Sequence, residues 1–279
     1  MIIEIRINQP LNLKHTLECG QVFRWRKAQD WYIGVIDRSV VKLKIIDNKL
    51  IADATGKIGE ERIHDYLRLD DDLNKILTLI NKDKLVSSAI TLFKGLRIIR
   101  QDPWECLASF ICSINSNINR ISKTIEKLCM KLGDPIISSY HAFPTPQAIV
   151  KAGIKGLREC GLGFRAKYLF EAAKQVEESF DLYSLVKEQT DAAISKLTQL
   201  PGVGLKVASC VALFSLNKLD AFPVDRWIKR VMITYYLRRE STIREITSFA
   251  RSYFGKYAGY ANQYLFHYVR TVKPRKIFQ

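Results

Sequence analysis

A Pro-Gly-Val-Gly turn at residues 201–204 constrains the fold of this chain more than any other segment. Leucines and alanines at helical spacing precede the turn from Asp191, the predicted N-cap, and an apolar helix pattern resumes at about Gly204. Proline followed by glycine ends a helix, so a short hairpin must join the two helices. The first N–H groups of the second helix then point outward and suit one backbone phosphate, although a simple tight turn between packed helices fits the same residues.

Lys206 and Asp225 are the candidate catalytic residues near this hairpin. Lys206 stands at the start of an otherwise apolar helix, beside Val207 and Ala208, and Asp225 opens the next helix. Burial disfavours the charged form of an amine and frees its lone pair for attack. A carboxylate nearby stabilises a cation that develops during the reaction. The pair indicates attack on a sugar carbon, and the alternatives are an exposed helix lysine and an aspartate that only caps its helix.

The charge balance favours a polyanionic partner. Lysine and arginine total 44 against 28 acidic residues, which gives a formal net charge of +16. A basic composition also occurs in soluble proteins without such a partner. No apolar run reaches membrane-spanning length, and residues 1–7 alternate like a strand rather than a signal peptide, so we expect no membrane association. The basic run at 273–276 is too short to carry a conclusion.

The pattern of apolar residues divides the chain into a sheet-forming part and a helical part. Alternating runs at 3–7, 22–25, 31–36 and 40–46 predict an antiparallel sheet that ends by about residue 48, and the pattern turns helical from Glu60. Asp102 is the expected N-cap of a helix with proline at N1 and Glu105 at N3. We therefore expect an α+β chain, with a small N-terminal antiparallel-sheet domain over residues 1–101 and an all-helical helix-hairpin-helix domain over residues 102–279.

Further blocks occur along the chain in a specific order. They are Gly-Gln-Val-Phe-Arg-Trp at 20–25, Arg-Gln-Asp-Pro-Trp-Glu-Cys at 100–106, Ser-Phe-Ile-Cys-Ser at 109–113 with Asn115 and Asn117, Gly-Leu-Gly-Phe-Arg-Ala-Lys-Tyr at 161–168, and Tyr-Ala-Gly at 257–259. With the hairpin and its lysine and aspartate, they resemble the eukaryotic-type 8-oxoguanine DNA glycosylases of the helix-hairpin-helix Gly/Pro/Asp superfamily. The resemblance covers most of the chain. It implies a sheet like that of the TATA-binding protein and an active-site cleft where the parts of the fold meet.

The resemblance also implies a bifunctional reaction. A base buried in duplex DNA has to be flipped out before its glycosidic bond is reached. Lys206 would capture C1′ as a Schiff base while Asp225 stabilises cationic character on the sugar. The Schiff base acidifies the 2′ hydrogens, so β-elimination at the 3′ phosphate nicks the strand.

Four residues are implied for recognition of the flipped base. The carbonyl of Gly20 would accept from N7–H, which 8-oxoguanine has and guanine lacks. Phe266 and Cys210 match the residues on the two faces of the base, although both also fit ordinary core positions. Asn262 stands where the family has a glutamine that contacts the Watson–Crick edge, and it is one methylene shorter.

The resemblance assigns further residues to the DNA duplex. Asn115, Arg120 and Arg165 would hold the estranged cytosine, and Phe164 would fill the gap in the duplex; exposed polar side chains are the alternative for the first three. The hairpin residues Gly202, Val203 and Gly204 would contact the phosphate backbone. Trp227 departs from the family, because a phosphate-contacting histidine is expected two residues after the aspartate. We expect the partner to be double-stranded DNA containing oxidised guanine and the protein to be a monomer.

The cysteines bear on cofactors and on compartment. Relatives in the superfamily often carry an iron–sulfur cluster, which needs four clustered cysteines. Here Cys19, Cys106, Cys112, Cys129, Cys160 and Cys210 are dispersed, and none follows Cys210. We expect no cofactor and no iron–sulfur cluster, with a monovalent or divalent cation at the hairpin carbonyls as an open alternative. Dispersed thiols are typical of an intracellular protein, cytoplasmic with the nucleoid if prokaryotic.

Three other functions stay open on sequence grounds. An alkylated-purine glycosylase of the same fold would use the aspartate without the lysine, so Lys206 counts against it. A thymine-glycol or mismatched-adenine glycosylase would bring the iron–sulfur cysteines. A non-catalytic helix-hairpin-helix protein would bind DNA without forming a covalent adduct.

Overall fold

The computed structural model describes residues 1–272, and its N-terminal part is a five-stranded antiparallel sheet in the order β1-β5-β4-β3-β2. The strands are β1 (Ile2–Arg6), β2 (Arg26–Ala28), β3 (Trp31–Ile36), β4 (Ser39–Ile46) and β5 (Lys49–Ala54). The register pairs Val41 with Ala54 and Leu43 with Ala52 on β5. The predicted antiparallel sheet is confirmed, but its predicted end near residue 48 is wrong because β5 follows at once.

The predicted strand at 22–25 is also wrong. Val22 and Trp25 pack into the core under the sheet, whereas Phe23 packs into the core of the helical part. The neighbouring Gln21 is fully buried, and its amide bonds the backbone of residues 16, 97 and 99. Consecutive side chains are therefore needed by two different cores, and this segment joins them instead of pairing with a strand.

Helices dominate the rest of the chain. They are α1 (Leu13–Leu17), α2 (Glu60–Tyr66), α3 (Leu73–Ile80), α4 (Lys84–Leu92), α5 (Pro103–Cys112), α6 (Ile118–Leu132), α7 (Pro146–Glu159), α8 (Arg165–Glu178), α9 (Thr190–Leu197), α10 (Leu205–Ser215), α11 (Arg226–Val231), α12 (Ile243–Phe254) and α13 (Ala258–Thr271). A small ribbon of β6 (Pro135–Ile137) and β7 (Tyr140–His141) interrupts them. No helix within residues 1–272 is both long and apolar enough to cross a bilayer.

Capping residues explain where the helices nearest the centre begin. Asp102 caps α5 by accepting from the Glu105 amide, as predicted. The Glu105 side chain instead pairs with Arg24 at 3.1 Å, and burial raises its pKa while Arg24 opposes the shift. The prediction for Asp191 is wrong, because α9 is capped by Gln189 and Asp191 forms an ion pair with Arg251.

Two apolar cores divide the structure. One lies under the sheet and includes Ile63 and Leu67, and the other runs from α3 through α13. The apolar residues of α3 and α4 thus pack with the helical core, although they precede the predicted boundary at residue 101, which stays a prediction. Within the helical core, α10 packs against α5 and α9. This packing buries α10 and leaves its N-terminal end at a cleft.

Candidate active site

A cleft of about 1000 Å³ opens at the N-terminal end of α10. Its walls come from the loop before β2, the end of α5 and start of α6, the hairpin, and the helices α11 and α13. Of the residues singled out from the sequence, the cleft brings together Gly20, Asn115, Arg120, Gly202, Gly204, Lys206, Asp225, Trp227 and Phe266. Residues far apart in the chain therefore share one cavity.

The hairpin supplies one edge of the cleft. Gly204 is the N-cap of α10 and provides no side-chain hydrogen bond, so the first amides of that helix are left for another acceptor. Val203 donates its backbone N–H to Leu200, and its side chain is buried. Val203 therefore offers neither its side chain nor a free backbone N–H to a phosphate. Gly202 lies at a φ of +78°, directly against the ring of Tyr168.

We expect Gly202→Ala to destabilise the protein by about 2–4 kcal/mol, because a left-handed alanine is strained and overpacking adds to it. Its Cβ would lie 2.5 Å from Cγ of Tyr168. Gly204→Ala is the matched control in the same hairpin, since φ there is −84° and no atom lies within 4 Å of a built Cβ. The control should lose less than about 1 kcal/mol, the difference between glycine and alanine at an N-cap. Urea unfolding measures both, and equal losses would contradict this account of the hairpin.

Lys206 lies in the first turn of α10 with its side chain half-buried. Its Nζ is 4.9 Å from the centroid of the Phe110 ring, and the lysine lies near the thiol of Cys210. Burial raises the pKa of Cys210 to about 11, and Lys206 opposes that shift. A thiol with such a pKa stays protonated at neutral pH, so Cys210 is a poor nucleophile there.

Asp225 holds α11 and faces the cleft at the same time. Its Oδ1 accepts from the backbone amides of Trp227 at 2.9 Å and Ile228 at 2.8 Å. Asp225 was expected to act as an N-cap, and the structure confirms that role. Its other oxygen, Oδ2, receives no hydrogen bond from any residue in the described range. One oxygen therefore serves the fold, and the other is available to a ligand.

The residues assigned to the base divide into two groups. Gly20 and Phe266 line the cleft, and the backbone just before Gly20 is held by α13, because Gln263 and Arg270 both donate to the carbonyl of Cys19. Cys210 and Asn262 are 4% and 3% exposed and are not among the lining residues. Cys210 lies against Lys206, and Asn262 donates its Nδ2 to the carbonyl of Pro223 at 2.9 Å.

The residues assigned to the opposite DNA strand also fall into two groups. Asn115 and Arg120 line the cleft, whereas Arg165 is buried and donates to the carbonyls of Ile114, Asn115 and Leu162. Arg165 therefore holds the loop that carries Asn115. Phe164 is 53% exposed, and its ring lies 4.7 Å from the Arg165 guanidinium. An exposed aromatic ring next to the cleft suits insertion between bases.

Sequence reasoning missed two cations in the cleft. Arg270 stands one turn after Phe266 on α13, with its guanidinium 5.0 Å from the centroid of that ring. Spacing of four residues on a helix could have predicted this contact. Arg226 lies 5.3 Å from the ring of Trp227. A positive charge is therefore present beside residue 227, where the expected histidine is absent.

The cysteines are separate from one another in the structure. All six are unpaired and buried. Among residues 1–272, no group of three histidine, cysteine or acidic side chains is arranged to hold a metal ion. The expectations about cofactors and about a hairpin cation stay predictions.

Comparison with known proteins extends over both parts of the fold. Residues 3–107 match the family model of the 8-oxoguanine DNA glycosylase N-terminal domain, and residues 108–254 match the HhH-GPD superfamily of base excision DNA repair proteins. The N-glycosylase/DNA lyase OGG1 of Arabidopsis thaliana is 31% identical over 287 residues, which cover 92% of this chain and 79% of the plant protein.

Solved structures agree with these matches. MBOgg1, determined in complex with a low-affinity DNA ligand, superposes with a TM-score of 0.92 at 40% identity, covering 96% of this chain and 95% of that one. The 8-oxoguanine glycosylase/lyase of Clostridium acetobutylicum, in complex with double-stranded DNA containing cytosine opposite 8-oxoguanine, gives a TM-score of 0.88 at 33% identity. That match covers 97% of each chain.

Proposed function

Since this chain belongs to the 8-oxoguanine DNA glycosylase family of the helix-hairpin-helix superfamily, we propose that it excises 8-oxoguanine from duplex DNA by way of Lys206 and then nicks the strand. Its class of activity is that of an N-glycosylase and DNA lyase acting on DNA. The observation that carries the residue assignments is the meeting of Lys206 and Asp225 in one cleft with Gly20 and Phe266. The phenyl ring offers a stacking face for a flipped base.

This chain supplies the attacking amine and the fixed negative charge. As the bond between C1′ and the base breaks, positive charge develops on the sugar, and Oδ2 of Asp225 stabilises it. Nζ of Lys206, as a neutral amine, forms the new bond to C1′, and the base leaves with the bonding electrons and takes up the proton that the new ammonium releases. The C1′–O4′ bond then breaks, O4′ takes up a proton from solvent, and a protonated Schiff base remains on Lys206. Transfer of a proton from C2′ to solvent forms the C2′–C3′ double bond and expels the 3′ phosphate, which cleaves the strand.

Exclusion of guanine would depend on the backbone carbonyl of Gly20. This carbonyl accepts a hydrogen bond from N7–H of the oxidised base, whereas guanine presents a lone pair at N7. The discrimination therefore comes from a hydrogen bond that only one of the two bases can make. Contacts from α13 to the Cys19 carbonyl hold this segment in place. A carbonyl that is already held in place loses less conformational entropy when it binds the base than a mobile carbonyl would.

The opposite base would be a cytosine held by Asn115 and Arg120, with Arg165 fixing the loop that carries Asn115. Phe164 would fill the space that the flipped base leaves in the duplex. The protein would act as a monomer. Its substrate would be intracellular DNA, in the cytoplasm with the nucleoid if the source is prokaryotic.

A glycosylase assay on a panel of duplexes tests the proposal. The panel carries 8-oxoguanine, an alkylated purine, thymine glycol or an abasic site, each opposite every normal base. We expect preferential excision of 8-oxoguanine opposite cytosine, and a borohydride-trapped adduct with it. Excision of only alkylated purines, without trapping, would favour the alkylpurine alternative. Binding without cleavage or trapping on any duplex would favour a DNA-binding protein.

We expect DNA binding to weaken steeply with salt. If about five phosphates are contacted, affinity should fall roughly 10²–10³-fold between about 50 and 200 mM salt. Arg226→Ala should reduce the slope of log K against log salt by about 1 if it contacts a phosphate. Arg38→Ala is the control, because Arg38 pairs with Asp134 and does not line the cleft. Fluorescence anisotropy at several salt concentrations measures the slopes, and a flat dependence would contradict the electrostatic argument.

A further inference from the structure

The Nδ2 of Asn262 donates to a backbone carbonyl and not into the cleft. The residue lies in α13 and is 3% exposed, and its Nδ2 donates to the carbonyl of Pro223 at 2.9 Å. Pro223 is two residues before Asp225. The carbonyl is buried, so without this donor it would lose its partner for a hydrogen bond. Asn262 therefore ties α13 to the segment that leads into the catalytic carboxylate.

A second contact on the same helix holds the same loop. Gly259 donates its backbone N–H to the carbonyl of Leu219 at 2.8 Å. A Cβ at Gly259 would lie 2.8 Å from that oxygen and 2.9 Å from the carbonyl of Ala221. The backbone of α13 thus approaches the loop as closely as glycine permits. One helix anchors residues 219–223 at two points, three residues apart on α13.

The same helix also lines the cleft. Phe266 and Arg270 follow Asn262 at spacings of four residues, which places all three on one side of α13. The first member of this row holds the loop, and the other two face the cleft. The helix that carries the Phe266 ring therefore also fixes the position of the loop that leads to Asp225.

We propose that Asn262 is a positioning residue, which sets the Asp225 carboxylate against Lys206 through the Pro223 carbonyl instead of contacting the base edge. The proposal rests on the proposed function, because it assumes that Asp225 acts at the sugar. The length of the side chain agrees with it. An asparagine amide reaches the carbonyl at 2.9 Å, so a glutamine at 262 would have to push against the loop or turn its amide elsewhere.

A double-mutant cycle with Asp225 separates positioning from base contact. Single-turnover excision of 8-oxoguanine opposite cytosine is measured for the wild type, Asn262→Ala, Asp225→Asn and the double variant. If Asn262 acts through Asp225, its removal should slow excision about 10- to 100-fold in the wild type, as small misplacements of catalytic groups do. In the Asp225→Asn background the same substitution should slow excision by less than about twofold. Equal factors in both backgrounds would overturn the proposal.

Two further variants keep the test decisive. Gln263→Ala removes the neighbouring buried amide, which bonds Cys19 and not the loop, so its effect should be the same in both backgrounds. Asn262→Gln serves if the alanine variant fails to fold. Positioning predicts slower excision for the glutamine variant, again only while Asp225 is present. Base contact predicts that the glutamine variant excises as fast as the wild type or faster, which would overturn the proposal.

The wild-type arm distinguishes failure of this inference from failure of the proposed function. A wild-type protein that excises no 8-oxoguanine refutes the proposed function, and the cycle is then run on whichever lesion the panel shows to be excised. A wild-type protein that excises 8-oxoguanine while the cycle is additive refutes only the role given to Asn262.

Discussion

Lys206→Gln should abolish base excision while leaving the binding of lesion DNA intact. Without the amine, no bond to C1′ forms, so the excision rate should fall on the order of 10³-fold or more, as it does when a covalent nucleophile is removed. Glutamine keeps most of the length of the side chain, so packing against Phe110 is largely retained. The measurements are single-turnover excision, borohydride trapping and anisotropy on one duplex containing 8-oxoguanine.

The matched control for this variant is Lys196→Gln. Lys196 is an exposed lysine of the preceding helix, paired with Glu188, and it does not line the cleft. The Lys196→Gln substitution removes the same charge from the same region of the molecule. Full excision by Lys206→Gln would exclude Lys206 as nucleophile, and equal losses in the two variants would trace the effect to net charge.

Asp225→Asn should lower the excision rate by about 10²–10³-fold, because a fixed charge is lost where the sugar becomes cationic in a partly enclosed cleft. Its stability should hardly change. Asparagine and aspartate are about equally good N-caps, and the amide oxygen can still accept from Trp227 and Ile228. Single-turnover rates and thermal unfolding are measured together.

Asp72→Asn is the control for the capping role. Asp72 caps α3 by accepting from the Lys75 amide and does not line the cleft. We expect this variant to change neither activity nor the melting temperature appreciably. A large loss of thermal stability in Asp225→Asn with normal turnover would show that Asp225 serves only the fold.

Local sequence signals predicted much of the backbone around the site. Helix α10 begins after Gly204 and Asp225 caps α11, as predicted, whereas α9 ends at Leu197, before the proline and glycine at 201–202. Each of these follows from hydrogen bonds within a few residues, so neighbours in sequence suffice to predict it. Strands β3 and β4 were predicted for the same reason, since alternation is a local pattern.

Contacts between segments that are far apart in the sequence could not be predicted. The run at 22–25 has the composition of a strand, yet Val22 and Phe23 are needed by different cores. Likewise, Arg165 was assigned to DNA, but the carbonyls of Ile114 and Asn115 surround its guanidinium. Neither partner is near in sequence, so no spacing rule could predict these contacts.

The sequence by itself determined the fold class and singled out Lys206 and Asp225 as candidates, because helix ends, caps and charge are properties of short segments. Only the tertiary structure decided which assigned side chains face the cleft. Lys206 and Phe266 line it, whereas Cys210 and Asn262 lie behind its wall. The physical reason is packing: whether a helical residue faces a cavity or a neighbouring loop depends on the close approach of other elements, such as residues 219–223 against α13.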